Sequence, residues 1–160
     1  TIVEYASFTC PHCASFHAAV FQPLKKDYID TGKVRFEFRE VYFDRYGLWA
    51  AMMARCGGEM RFFGISEILF ATQQEWAGTE DPAAVIENLK RIGRTVGMDS
   101  SAIDACLTDG AMAEALVAQY QENATADGVE GTPTLFINGE KHQNMSYTEL
   151  QAIIDPLLAE

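Results

Sequence analysis

Cys10-Pro11-His12-Cys13 sets two thiols three residues apart, with a proline and a histidine between them. A strand-like run over residues 1–8 leads into this tetrapeptide. A helical pattern follows it to about residue 30, with Phe16, Val20 and Leu24 at spacings of four. Cys10 therefore falls at a helix N-cap and Pro11 at the first helical position, where a missing N–H costs nothing. Free N–H groups and the macrodipole at a helix N-terminus favour an anion, here the Cys10 thiolate. His12 adds a polar or cationic group near the same sulfur. A thiolate of low pKa leaves easily, so a Cys10–Cys13 disulfide is expected to be unstable relative to its dithiol and to oxidise other thiols.

The rival chemistry is metal binding. Cys10, His12, Cys13 and His17 lie within eight residues, and Cys13 and His17 are four apart on one helix face. A structural zinc site usually takes two ligands from a second segment, and neither Cys56 nor Cys106 has a Cys or His close by. The expectation is therefore no metal, with His17 a surface helix residue. Ala14 after Cys13 excludes a haem-attachment motif.

The elements that must position these thiols follow from patterning. Val34, Phe36 and Phe38 alternate with Arg35, Glu37 and Arg39, which predicts a strand over Val34 to Phe43. Strand, helix and strand make a βαβ unit with parallel strands. Residues 46–127 read as helical throughout. Gly57-Gly58 ends a first helix, and a second runs from about Glu59 to Glu75. Asp81-Pro82 caps and opens a third, with Val85, Leu89, Ile92 and Val96 on its buried stripe. Short stretches from Asp99 to Leu107 and Ala111 to Ala126 follow. Strand character returns at Thr134-Leu135-Phe136-Ile137, and Asn138-Gly139 predicts a hairpin to a partner strand over Lys141 to Gln143. Ser146 and Glu149 form a capping box for a last helix with Leu150, Ile153, Ile154, Leu157 and Leu158 toward the core. Pro23 is expected to kink the helix that contains it.

Composition narrows the function. The chain has 160 residues, 48% apolar and 22% charged, which suits one domain with a real core. Residues 1–74 hold eight acids and eight bases, whereas residues 75–160 hold fifteen acids and four bases. The net charge of −11, with no basic run beyond Lys25-Lys26, excludes a nucleic-acid or anionic-membrane binder. The longest apolar run, Leu48 to Ala54, is seven residues, far short of the ~20 that span a membrane. Thr1 opens directly into a strand, so an upstream segment, including any signal, is expected to have been removed.

Glu4-Tyr5-Ala6-Ser7-Phe8-Thr9-Cys10-Pro11-His12-Cys13, followed by Phe16-His17, resembles the active-site segment of the DsbA-like thiol:disulfide oxidoreductases. Gly131-Thr132-Pro133-Thr134 resembles their cis-proline loop, about 120 residues on. The resemblance implies an α/β, thioredoxin-like fold (βαβ … ββα) with an all-helical insertion: residues 1–45 and 128–160 form the discontinuous thioredoxin-like domain and 46–127 the insertion. It makes Cys10 the exposed, attacked sulfur and Cys13 its buried partner. Thr132-Pro133 becomes a cis peptide against the disulfide, offering a strand-like edge to a substrate peptide. Glu4 becomes an acid under the active site, able to exchange a proton with Cys13. The sequence departs from strong oxidants of the family at Thr132, where an apolar residue is common, and this admits isomerases and reductases.

The implied activity is extracytoplasmic, most simply periplasmic: a dithiol oxidase that donates the Cys10–Cys13 disulfide to cysteines of unfolded or partly folded secreted proteins. It needs no cofactor. A membrane or soluble redox partner would restore the disulfide. The alternatives are an isomerase or reductase of the same fold, or a metal-binding or chaperone-like module using the same cysteines as ligands. Cys56 and Cys106 lie on apolar helix faces of the insertion. They are either two buried thiols or, as expected here, a structural disulfide between its first and fourth helices.

Overall fold

The computed structural model describes residues 1–160. A four-stranded sheet carries β1 (Ile2–Ala6), β2 (Phe36–Glu40), β3 (Thr134–Ile137) and β4 (Glu140–His142) in the order β2-β1-β3-β4. β1 pairs parallel to β2, with Ile2 opposite Phe36 and Glu4 opposite Phe38. It pairs antiparallel to β3, with Glu4 opposite Leu135. β1 is thus flanked on both edges, and this places Glu4 inside the protein.

The helix after β1 begins as α1 (Pro11–Phe16), with Cys10 at its N-cap and extended there. Around Pro23 it widens into π-helical turns at His17–Phe21 and Lys25–Ile29, on either side of α2 (Gln22–Leu24). A proline ring crowds the carbonyl four residues back, and the wider turn before Pro23 relieves that contact.

Six helices lie between β2 and β3: α3 (Arg45–Cys56), α4 (Glu59–Ala71), α5 (Gln73–Ala77), α6 (Pro82–Thr95), α7 (Ser100–Leu107) and α8 (Gly110–Asp127). Asp44 caps α3 through the Gly47 N–H at 2.8 Å, and Asp81 caps α6 through the Ala83 N–H at 3.1 Å. The helix predicted as one unit from Glu59 to Glu75 is two. It breaks at Thr72, whose backbone leaves helical geometry and whose hydroxyl caps the Ile68 carbonyl at 2.7 Å. No glycine or proline marks that break. α6 crosses α3 and α7 closely at Gly93, where a Cβ would come within 2.7 Å of the Ile103 side chain and 3.0 Å of the Met53 sulfur.

The hairpin turn has Asn138 and Gly139 both at positive φ, 47° and 85°, which matches the right-handed twist of the strands. Its second strand starts one residue earlier than predicted, at Glu140. Ser146 and Glu149 close the capping box of α9 (Tyr147–Leu158). Only the first part of its apolar stripe is covered: Leu150 and Ile154 are buried, Ile153 is half-buried, and Leu157 and Leu158 are exposed beyond the sheet.

Two apolar cores result. One, around Phe16, Phe21, Leu24, Leu135, Leu150 and Ile154, joins the sheet to the long helix and α9. The other, around Phe8, Met53, Leu69, Trp76, Leu89 and Ile103, joins the inserted helices and reaches Cys10 and Cys13. The thiols therefore sit where the insertion meets the sheet. No helix is long and apolar enough to cross a membrane.

Candidate active site

The segment Ser7-Phe8-Thr9-Cys10 leaves β1 and turns into α1. The Cys10 N–H donates to the Ser7 carbonyl at 3.2 Å and the Thr9 N–H to the Ser7 hydroxyl at 3.2 Å. Two groups from beyond β2, Asp44 before α3 and Gln73 of the insertion, hold this turn from outside. The Thr9 hydroxyl donates to the Asp44 carboxylate at 3.0 Å. The Gln73 side-chain amide donates to the Phe8 carbonyl at 2.8 Å and to the Cys10 carbonyl at 2.9 Å.

At the head of α1, the Cys13 N–H points at the Cys10 sulfur, 3.3 Å away. The Cys10 thiol lies 3.8 Å from the Thr132 carbonyl, and the Thr132-Pro133 peptide is cis. Both thiols are free. Cys13 is wholly covered and Cys10 keeps only 9% of its surface, so the sulfur that the resemblance makes the exposed one belongs to a largely covered residue.

The two sulfurs are electrostatically unequal. The Cys10 pKa is lowered to about 5, first by the hydrogen bond from the Cys13 thiol, then by Thr132 and by the backbone N–H groups of Cys13 and His12, against the opposing effect of burial. The Cys13 pKa is raised, because its thiol serves as that donor and because it is buried. The pair shares one proton, held on Cys13. The His12 side chain is exposed, and the backbone N–H of His12 is among the groups that lower the Cys10 pKa.

His17 is a correction. It is not on the surface: it keeps 3% of its exposure, and its Nε2 lies 2.7 Å from Oε1 of Glu4, which is fully buried. Its ring stacks on Phe70 at 4.1 Å and tilts against Phe21 at 4.5 Å. The second Glu4 oxygen and His17 Nδ1 are buried without a partner. His17 therefore faces the sheet rather than Cys13, and nowhere do three or more His, Cys, Asp or Glu side chains come together as a metal-binding group.

Cys56 and Cys106 are bonded to one another, with Cα atoms 5.8 Å apart, and they tie the end of α3 to α7. Neither belongs to the Cys10 site.

Sequence reading did not find Gln73 or the Glu4–His17 pairing. Gln73 is one of two adjacent glutamines in a run read as continuous helix, and only the break at Thr72 turns it inward. For His17 a signal existed: with Phe16, Val20, Phe21 and Leu24 it completes a broad inward face, opposite a strand that carries an acid.

Comparison with known proteins places this geometry. The thioredoxin family matches residues 1–156. A putative protein-disulfide oxidoreductase of Rickettsia bellii is 32% identical over 160 residues, covering 99% of this chain and 61% of that protein. The chain spans about three fifths of the length of the first curated relatives it matches. Among solved structures, alpha-DsbA1 of Wolbachia pipientis superposes with a TM-score of 0.90 at 29% identity, over 99% of this chain and 85% of that one. A protein-disulfide isomerase from Novosphingobium aromaticivorans superposes with a TM-score of 0.83 at 27% identity, over 99% and 92%.

Proposed function

The chain belongs to the thioredoxin family, with the DsbA-like form of its fold, and from that premise we propose that it is a thiol:disulfide oxidoreductase acting as a dithiol oxidase on cysteines of secreted proteins. The observation that carries this reading is the unequal pair. A Cys10 thiolate held near pKa 5 is a far better leaving group than an ordinary thiol.

The reaction runs in two exchanges. A substrate thiolate attacks Cys10 Sγ of the Cys10–Cys13 disulfide, forming a substrate–Cys10 bond and releasing Cys13 as a thiolate that takes up a proton. A second substrate thiolate then attacks the substrate sulfur of the mixed disulfide and expels the Cys10 thiolate. The substrate loses two electrons and the Cys10–Cys13 pair gains them, so no cofactor enters the reaction.

In this reading Cys10 is the attacked and leaving sulfur. Cys13 keeps the proton, and Pro11 and His12 shape the helix start whose N–H groups face Cys10. Glu4, paired to His17, exchanges the Cys13 proton. The Thr132-Pro133 backbone receives the substrate segment. Residues 1–45 with 128–160 form the redox unit and 46–127 the helical insertion that covers it. The compartment is extracytoplasmic, periplasmic in a two-membrane cell, and a membrane or soluble partner must reoxidise the pair after each turnover.

An isomerase is the second reading, favoured by the hydroxyl of Thr132 beside the sulfurs and by the Novosphingobium neighbour's name. One experiment separates the two. The oxidised protein is mixed with a reduced dithiol peptide and, separately, with a scrambled multi-disulfide protein. Fast stoichiometric peptide oxidation without reshuffling supports the oxidase. Catalytic reshuffling with slow peptide oxidation supports the isomerase and overturns the first reading.

A further inference from the structure

Gln73 is buried at the start of α5, and both N–H groups of one side-chain nitrogen are spent on the active-site turn, at Phe8 and at Cys10. The residues are more than sixty apart in sequence. Gln73 is itself held firmly: the Thr72 hydroxyl caps Ile68, and the Trp76 indole donates to the Leu69 carbonyl at 2.7 Å, which fixes the start of α5 against the end of α4. The acceptors matter as much as the donor. The Cys10 carbonyl is the N-cap carbonyl of α1 and already accepts from the N–H groups of Cys13 and Ala14, each at 3.1 Å. The Cys10–Pro11 peptide has no N–H of its own, so holding its carbonyl holds the first turn of α1, from which the Cys13 N–H faces the Cys10 sulfur.

We propose that Gln73 is a positioning residue for Cys10: it holds the Phe8 and Cys10 carbonyls on the side of the helical insertion, so that backbone N–H groups face the sulfur and the reduced pair carries its negative charge well. Gln73 thereby tunes the redox pair through the backbone. Asp44 acts on the same turn from the other end, through Thr9. A glutamine suits this task because a single neutral nitrogen satisfies two carbonyls. A lysine would carry charge into a buried place, and an asparagine is one methylene shorter. The role rests on the reading of Cys10 and Cys13 as a redox pair.

The test is Gln73→Met, which keeps the length of the side chain and removes both donors. The Cys10 thiolate is titrated by its ultraviolet absorbance, and the Cys10–Cys13 equilibrium is measured against glutathione. The variant should titrate at higher pH and be a weaker oxidant by roughly threefold to tenfold, the worth of about one hydrogen bond. A purely structural Gln73 lowers the melting temperature of oxidised and reduced forms alike and leaves the titration and the glutathione equilibrium at wild-type values; that result overturns the role. If the variant fails to fold, the wild type decides. The Gln73 side-chain amide protons should exchange slowly with solvent and shift in the NMR spectrum on oxidation, whereas fast exchange or an unmoved resonance overturns the role. A wild-type pair that does not exchange with glutathione at all overturns the redox reading, and this role with it. A wild type that exchanges, with a variant that matches it, overturns the role of Gln73 alone.

Discussion

Cys10 and Cys13 open a helix; Cys56 and Cys106 close two. At the head of α1 the unsatisfied N–H groups point at sulfur and favour its anion. Cys56 is the last residue of α3 and Cys106 the last but one of α7, where free carbonyls and the negative end of the dipole disfavour a thiolate. A disulfide is weak when its thiolates are well stabilised and persistent when they are not. On the proposed reading the first pair changes state, while the second is the one found bonded. The difference lies in which end of a helix each sulfur occupies.

The widest separation between the two pairs is in exchange chemistry. Cys10→Ser should reduce peptide oxidation to background. The Cys56→Ala, Cys106→Ala double variant should keep full exchange and the wild-type Cys10–Cys13 potential. That variant should instead lose stability, since its bond closes a loop of 50 residues in separation and such closure is worth about 4 kcal/mol in the chain-entropy model. Denaturant unfolding alongside the peptide assay reads both. A folded double variant without exchange would make the distal pair a redox relay and dissolve the contrast.

A smaller effect belongs to the buried pair behind the site. Glu4→Leu leaves the His17 imidazole buried against Phe70 without its partner, and should cost about 3 kcal/mol or somewhat more. Adding His17→Phe should return most of that loss, because no buried polar group is then left alone. Urea unfolding of the three proteins checks it. A double variant no more stable than the single one contradicts the pairing.

These residues also mark how far the sequence could be read. The thiol tetrapeptide, the Asn138-Gly139 turn, the Asp81-Pro82 helix start and the capping box of α9 were legible because each is a local signal, complete within a few residues. So was the alternation behind β2, although that strand covers Phe36–Glu40 rather than Val34 to Phe43. Thr72, Gln73 and His17 were not. Their placement depends on what the sheet and the insertion bring against them from far along the chain, and a polar residue in a helical pattern reads as solvated. The uncovered end of α9 failed for the same reason: an apolar stripe does not say how long the surface beneath it is.

The contrast between the pairs also predicts a dependence on pH. The folded Cys10 pKa is depressed to about 5, so its stabilisation of the reduced protein is complete above the ordinary thiol value of about 8.5 and is lost as the pH falls through about 5. Cys13 is shifted upward and keeps its proton across that window, eroding the reduced form only at higher pH. The oxidised protein has neither titration. The melting temperature of the reduced form relative to the oxidised form should therefore fall steadily from about pH 8 to about pH 5. A difference that stays flat contradicts the unequal pair.

The reduction potential of Cys10–Cys13, measured against glutathione at neutral pH, tests the account most directly. A thiolate this well held at a helix N-terminus predicts a pair several tens of millivolts more oxidising than the ~ −270 mV of thioredoxin. A potential at or below that of thioredoxin would contradict it, and would make the chain a reductant on the same fold.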